Sequence, residues 1–594
     1  MSGTLNFRMR MAFWALGTVL GLAQAWKSRL GLVNDTISYL DMGDYFFHGK
    51  PAAIINGIWS PLYAFLLGAT LAIFKPSPYR EYPSIHLLLF CIFLFSMVCF
   101  DFFLRQSHLL RGGSPPENRS ASLDWPWIVI AYTLFLWSSL VLIGVYETNP
   151  DMLVAAFFYL ACGFLIRISA GHATWKTFLG LGLVLGLSYL TKGAMFPLSL
   201  VVLAIAWLAA KQKSRYILVS LAAFIVIASP YIAALSLQKG HVTFGDSGKY
   251  NYAVHINRIN YHHWQGDSGA VGLPIHPTRE IVRSPATFEF KEPVPGTYPA
   301  WYDPTYWYEG VRPHLHVRQE LKALSNNLFS ELTTFLYALS GIFFTTMFLL
   351  FCDAKNKLAI LENVFRCWFL ILPSALGFCL YALVHVEARY LGAFFVVLVF
   401  SLFACILWAD EFPRRRLLSG VAILQALIFL GTVALPSLFD LRHPSVFPKG
   451  SYQAVAEGAR KMGLQPGDQI ASLNFSNLGT AMWARLDRLQ IIAEVYYWPG
   501  EPEGSGNCFW NRDQATQERV LQRLAQTGAK AVVSSDVPTG PEAIHWSRIG
   551  NTGYYLMWLN TTTSSLLRKP APGTNESNEL AREREAVFLP ARKT

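Results

Sequence analysis

Over the first 436 residues, long apolar runs alternate with short basic or polar breaks. A bilayer core about 30 Å thick needs roughly 20 apolar residues as helix. Runs that meet or approach this length lie near residues 11–33, 84–104, 126–145, 151–168, 177–191, 195–210, 216–237, 327–352, 359–384, 389–409 and 417–436, which predicts eleven spans. The first run follows Arg8 and Arg10 but ends at no small-residue cleavage site, so it reads as a retained span. Starting it in the cytoplasm makes every inward loop basic, in keeping with the excess of Lys and Arg on cytoplasmic loops. These loops hold or adjoin Arg105, Arg111 and Arg119, then Arg167 and Lys176, then Lys211, Lys213 and Arg215, then Lys355, Lys357 and Arg366, and finally Arg414, Arg415 and Arg416. Counting the apolar stretch 59–74 as a span would invert this pattern, so it is placed outside, as an amphipathic or re-entrant interfacial helix.

Three large outside segments follow: 34–83, 238–326 and everything after Pro436. The last reads as a small α/β domain over 437–563, followed by a polar, mobile tail over 564–594. Helical periodicity marks 452–462 and 513–526, and strand-like runs mark 469–474, 490–497, 530–534 and 554–559. The fold class expected is therefore an α-helical polytopic membrane protein with a C-terminal extracytoplasmic α/β domain.

Composition agrees. Of 594 residues, 53% are hydrophobic and 15% charged, against about 25% charged in soluble domains. This excludes a disordered scaffold, a fibrous protein and an ordinary cytosolic enzyme. The net charge of +11 is explained by the basic inward loops, and no nucleic-acid-binding motif accompanies it. Seven of the eight cysteines lie in or beside apolar segments, with no CxxC pair, so neither a disulfide framework nor a Cys-based zinc site is indicated.

Candidate chemistry gathers on the outside face. The first outside loop carries Asp35, Tyr39, Asp41, Asp44, His48 and Lys50, and carboxylates beside a span are costly unless solvated or paired. Asp35 is placed to cap the next helix, while Asp41, Asp44 and His48 share a face as a wet stripe or a substrate surface. The turn 146–151 holds Glu147 and Asp151, the latter open to a capping role or to an outer-face pocket. Lys192 sits in a turn between apolar stretches, either snorkelling or meeting an anion. His385, Glu387, Arg389 and Tyr390 form a third cluster, in which Glu387 pairs with Arg389 in the simplest reading. The second outside loop is aromatic, with 261–264 and 301–307 suited to sugar rings or to an interfacial belt. In the C-terminal segment Trp483, Tyr496, Tyr497 and Trp498 suit carbohydrate or core packing equally.

Four places resemble the GT-C superfamily of membrane glycosyltransferases, in its protein O-mannosyltransferase and aminoarabinose lipid A transferase branch. Asp35-Thr36-Ile37-Ser38-Tyr39 stands where the family carries its first-loop acidic motif. Ser60-Pro61-Leu62-Tyr63 resembles the start of its interfacial helix, Leu190-Thr191-Lys192-Gly193 its Leu-Thr-Lys-Gly turn, and Glu387-Ala388-Arg389-Tyr390-Leu391 its Arg-Tyr-Leu segment. The departure is Thr36, where many members carry Glu.

The resemblance implies inverting transfer from a polyprenyl-phosphate-sugar donor to a lipid, glycan or protein acceptor. Asp35 is then the general base, Lys192 and Arg389 (with Lys50 as a weaker candidate) face the departing phosphate, and Asp151 orients hydroxyls. Tyr39, Asp41, Asp44 and Tyr390 complete the substrate-binding set. No cofactor is obligatory, and a divalent metal is compatible but not indicated. The setting expected is a bacterial inner membrane with a cytoplasmic N-terminus, and an endoplasmic reticulum membrane would preserve the same topology. Two other classes stay open on the sequence: a transporter or flippase of a lipid-linked substrate, and a non-catalytic envelope-assembly scaffold.

Overall fold

The computed structural model describes residues 2–111, 125–259, 263–266, 271–337, 357–408, 415–439, 452–473, 477–496, 509–539 and 541–559, with isolated positions between 341 and 351. The apolar runs become helices α1 (Ser2–Ser28), α4 (Pro78–Gln106), α5 (Trp125–Trp137), α6 (Asp151–Ser169), α7 (Trp175–Thr191), α8 (Met195–Ala209) and α9 (Ile217–Lys239). Between α1 and α4 lie two shorter helices, α2 (Thr36–Phe47) and α3 (Pro61–Phe74). The second outside segment carries α10 (Ser247–His255), a hairpin of β1 (Arg279–Val282) and β2 (Thr287–Glu289), and single turns α11 (Pro299–Tyr302) and α12 (Pro304–Trp307). The bundle resumes with α13 (Val317–Leu336), α14 (Lys357–Arg366), α15 (Trp368–Ala382), α16 (Ala388–Trp408), α17 (Arg415–Phe429) and α18 (Leu435–Phe439).

Among the described residues six helices are long and apolar enough to cross a membrane, or seven if the bent pair α14–α15 counts as one span. The expected eleven are not all met. Helix α1 is not among the six, helices α7 and α8 are short, the run 359–384 is bent by 77° at its break, and much of 327–352 lies outside the described residues. Burial separates the crossing helices. The span Trp125–Ile143 is 94% buried and forms the bundle centre, whereas Lys213–Lys239 and Leu418–Phe439 are 22% and 28% buried. Helices with most of an apolar surface uncovered suit hydrocarbon, since lipid tails are as apolar as Leu.

The stretch expected to be amphipathic or re-entrant, α3, is apolar along its length and packs against α2 and α4. Proline at its first turn starts it, as the missing N–H costs nothing there. Its contact with α2 is backbone on backbone. A Cβ on Gly43 would lie 2.2 Å from the Ala64 carbonyl oxygen, and one on Gly68 2.4 Å from that of Gly43. Gly43→Ala is expected to destabilise the fold by about 1–3 kcal/mol through overpacking. Gly420→Ala, with nothing within 4 Å, serves as the control in thermal unfolding of the detergent-purified protein. Equal midpoints for the two variants would refute the close-packing argument.

The C-terminal segment folds as α19 (Tyr452–Lys461), β3 (Gln469–Ser472), α20 (Asn477–Leu486), β4 (Gln490–Val495), α21 (Gln514–Gln526), β5 (Ala531–Ser534), β6 (Ser547–Arg548) and β7 (Tyr555–Trp558). One seven-stranded sheet runs in the order β1-β2-β4-β3-β5-β7-β6, parallel across β4-β3-β5 and antiparallel elsewhere. The hairpin β1-β2 belongs to the second outside loop, so the sheet is not built from 437–563 alone. Phe288 of the hairpin pairs with Glu494 of β4 and is buried. Helix α20 and the hairpin did not show in the periodicity, because α20 is buried all round from Thr480 to Leu486 and the strands of the hairpin are only three and four residues long. Trp483 and Tyr496 are buried, so they serve packing. Tyr497, Trp498 and the tail 564–594 lie outside the described residues.

Candidate active site

Four connections at one end of the bundle bring charged side chains together. The first is the α1–α2 loop. Asp35 stands at the cap position of α2, yet its side chain makes no capping hydrogen bond. The carboxylate is instead directed across the bundle, where its oxygen lies 3.9 Å from the Arg389 guanidinium. The next residue, Thr36, is fully buried and donates to the Thr148 carbonyl at 2.5 Å, while Thr148 accepts from the Val33 backbone N–H at 2.8 Å. A glutamate at position 36 would put a charge into this closed contact.

The second connection is the turn before α6. A π-helical turn, Ser138–Ile143, ends α5, and Gly144 follows at φ +79, a left-handed conformation that glycine reaches without strain. Asp151 opens α6 behind Pro150 and is 4% exposed. The third is the α7–α8 turn, where Lys192 donates to Asp151 at 2.6 Å and lies 3.6 Å over the ring of Tyr390. It does not snorkel; it is neutralised in place. The fourth is the α15–α16 turn. Arg389 donates to Glu387 at 2.6 Å and lies 3.7 Å from Asp151, and the Tyr390 hydroxyl donates to Glu387 at 3.0 Å. His385 lies 3.5 Å from Glu387 and stacks on His255 of α10 with ring centres 4.2 Å apart.

Burial raises the Asp35 carboxyl above its ordinary range; Arg389 opposes this, Glu387 adds to it, and the adjoining Trp301 indole and Lys192 oppose it. Burial also pushes Glu387 up, but bonds from His385, Arg389 and Tyr390 outweigh it and hold that carboxyl below its usual value. Burial lowers Lys192, with Asp151 countering. Neighbouring carboxyls are thus driven apart, one upward and one downward.

Asp41 and Asp44 do not join this cluster. Asp41 is 1% exposed and accepts from Arg485 at 2.8 Å and from the Thr297 backbone N–H at 2.6 Å. Asp44 accepts from Arg485 at 3.0 Å, with Arg488 3.7 Å away. Burial raises Asp41, against Arg485 and Thr297; burial also pushes Asp44 up, but Arg485 and Arg488 hold it low. The face of α2 expected to be a wet stripe or a substrate surface is instead covered by α20, and Asp41 and Asp44 lie in an ion cluster with Arg485. Lys50 is exposed and lies 5.1 Å over the Tyr45 ring, with no ion pair to the cluster among the described residues. Tyr39, one turn after Asp35, packs against Trp59 and Tyr63 with ring centres 5.3 and 5.1 Å away.

The aromatic stretch 301–307 is not an open platform. Trp301, Tyr302 and Trp307 are 4–5% exposed, and the Trp301 carbonyl accepts from Ser38 at 2.8 Å. His262 lies outside the described residues, and His263 is buried against Glu494 at 2.5 Å. Glu387 stands in the sequence as the partner of Arg389 and Trp301 as part of an aromatic stretch, and both lie at the site. Arg485 carries no local signal, since its partners lie in distant segments.

No family model matches the chain, and no curated protein matches it in sequence. Its fold is similar to that of ArnT from Cupriavidus metallidurans in the apo state, with a TM-score of 0.52 at 10% identity over 93% of this chain and 98% of that one. The same protein bound to undecaprenyl phosphate gives 0.51 at 11% identity over 93% and 98%. The Archaeoglobus fulgidus oligosaccharyltransferase, complexed with zinc and sulfate, gives 0.50 at 13% identity over 89% of this chain and 67% of that one. Identities this low establish a shared architecture and nothing finer.

Proposed function

We propose that this protein is an integral-membrane glycosyltransferase that moves a sugar from a polyprenyl-phosphate-linked donor to an acceptor hydroxyl on the extracytoplasmic face, with inversion. One observation carries the reading: Asp35, Asp151, Lys192 and Arg389 converge from four separate connections. Asp35 is still 25% exposed and Lys192 20% exposed, so the base and one cation remain open to a ligand. A neighbour of the same fold was crystallised with undecaprenyl phosphate, which supports the donor class.

In this mechanism Asp35 takes the proton of the acceptor hydroxyl as its oxygen bonds to the anomeric carbon. The bond from that carbon to the phosphate oxygen breaks, and its electron pair leaves on the phosphate. Lys192 and Arg389 face the charge that develops there. Asp151 holds both cations until the donor phosphate competes for them, and Glu387 keeps the Arg389 fork in plane. Phosphate is a good leaving group, so no cofactor is assigned. The acceptor enters from the outside, the prenyl chain lies toward lipid, and the N-terminus is cytoplasmic in a bacterial inner membrane.

The test is transfer by the full chain in nanodiscs from polyprenyl-phosphate-linked mannose, glucose, galactose, arabinose and aminoarabinose, with water as a slow surrogate acceptor. Release of sugar from one of these donors is the expected result. Donor binding without turnover, together with movement of the donor between leaflets, would replace the reading with a flippase.

A further inference from the structure

The C-terminal domain grips the helix that carries the base. Arg485 of α20 is 2% exposed, and its guanidinium meets three carboxylates: Asp41 at 2.8 Å and Asp44 at 3.0 Å on α2, and Glu81 at 3.1 Å on α4. Arg488 adds a second bond to Glu81 at 2.7 Å. Removing one partner from a buried ion set leaves uncompensated charge, so the set holds its geometry tightly. A second connection runs from strand β4. The Ile491 N–H donates to the Thr297 carbonyl at 2.9 Å, and the Thr297 N–H and hydroxyl donate to Asp41. Four residues on, the Trp301 carbonyl accepts from Ser38 and from the Trp59 indole. Helix and strand of one domain thus hold the face of α2 that runs from Ser38 to Asp44, directly after Asp35. At its start α2 is held by the Thr36–Thr148 contact.

We infer that Arg485 is a positioning residue for the reaction: the C-terminal domain fixes α2, and through it the direction in which Asp35 presents its carboxylate to the acceptor. This rests on the glycosyltransferase reading for its catalytic consequence but not for the clamp itself. A fork of five donors satisfies three carboxylates at once, which a single ammonium cannot do.

The test compares Arg485→Met, Arg485→Lys and Arg460→Met in the full chain. Arg460 pairs with Asp487 inside the C-terminal domain and so controls for loss of a charge there. For Arg485→Met the expected result is at least a tenfold fall in kcat with donor Kd changed less than threefold, and faster hydrogen exchange confined to residues 34–47 and the start of α4 around Glu81. Arg485→Lys is expected to fall between wild type and the Met variant, and Arg460→Met to match wild type. Wild-type kcat and exchange in Arg485→Met would overturn the inference. So would exchange raised evenly through the chain, which marks a general loss of stability. If the wild type transfers no sugar, the glycosyltransferase reading fails while the exchange at 34–47 still decides the clamp.

Discussion

Replacing Asp35 by Asn is expected to slow sugar transfer by about 10²–10⁴-fold while donor affinity stays close to wild type. The amide keeps the size and one acceptor oxygen of the carboxylate but cannot take the acceptor proton. The substitution is clean because Asp35 forms no capping bond to α2, so the helix loses no cap with the charge. The carboxylate is also not closed into a short ion pair; Arg389 lies 3.9 Å away. Since burial lifts the Asp35 carboxyl, the acid limb of kcat/KM for the wild type is expected above the ordinary carboxylate range, with activity rising as that group loses its proton. Single-turnover kinetics with the cognate donor, beside donor binding by the same protein, supply both numbers. Equal turnover by the Asn variant would remove Asp35 as the base. A loss of donor binding as large as the loss of turnover would make it a binding residue instead.

Replacing Arg389 by Met is expected to lower kcat by about 10²–10³-fold, the usual cost of one group that stabilises developing negative charge. The loss should shrink for a donor with a more acidic leaving group, because less charge then needs stabilising. Arg389 also lies among three carboxylates, at 2.6 Å from Glu387, 3.7 Å from Asp151 and 3.9 Å from Asp35. Its removal leaves Asp151 to Lys192 and Glu387 to Tyr390 and His385, and costs roughly 3–5 kcal/mol of stability if the site stays closed. Arg389→Lys separates the two effects: it keeps a charge for folding but not the fork that holds Glu387 and faces phosphate together. Thermal unfolding and kcat measured on both variants decide the matter. A Met variant that loses stability but keeps kcat would assign Arg389 to structure alone.

Three of the four connections that build the site carry their signal locally. Lys192 between two apolar runs, Asp151 after Asn149-Pro150, and Glu387 two residues before Arg389 are each conspicuous, because a charge at the end of an apolar helix needs a reason. What the pattern misjudged is which carboxylates are free. Asp35, at the natural cap of α2, leaves the cap unused, while Asp41 and Asp44, on a face expected to be wet, are sealed by Arg485. Nothing near Arg485 marks it, since it is one basic residue in a helix that periodicity did not reveal.

The sequence by itself determined that the chain is a membrane protein with its acidic and basic candidates on one face, and that a sheet domain follows. Those properties depend on local runs of apolar residues and on the spacing of charges around them, which solvent and bilayer read one segment at a time. The tertiary structure decided that a hairpin from the second outside loop completes the sheet, that three acidic residues serve the domain contact, and that Asp35 meets Arg389. Each of these is a pairing between segments far apart in the chain. The desolvation cost of a buried charge is offset only by a partner of opposite sign, and which partner arrives is set by how the helices pack.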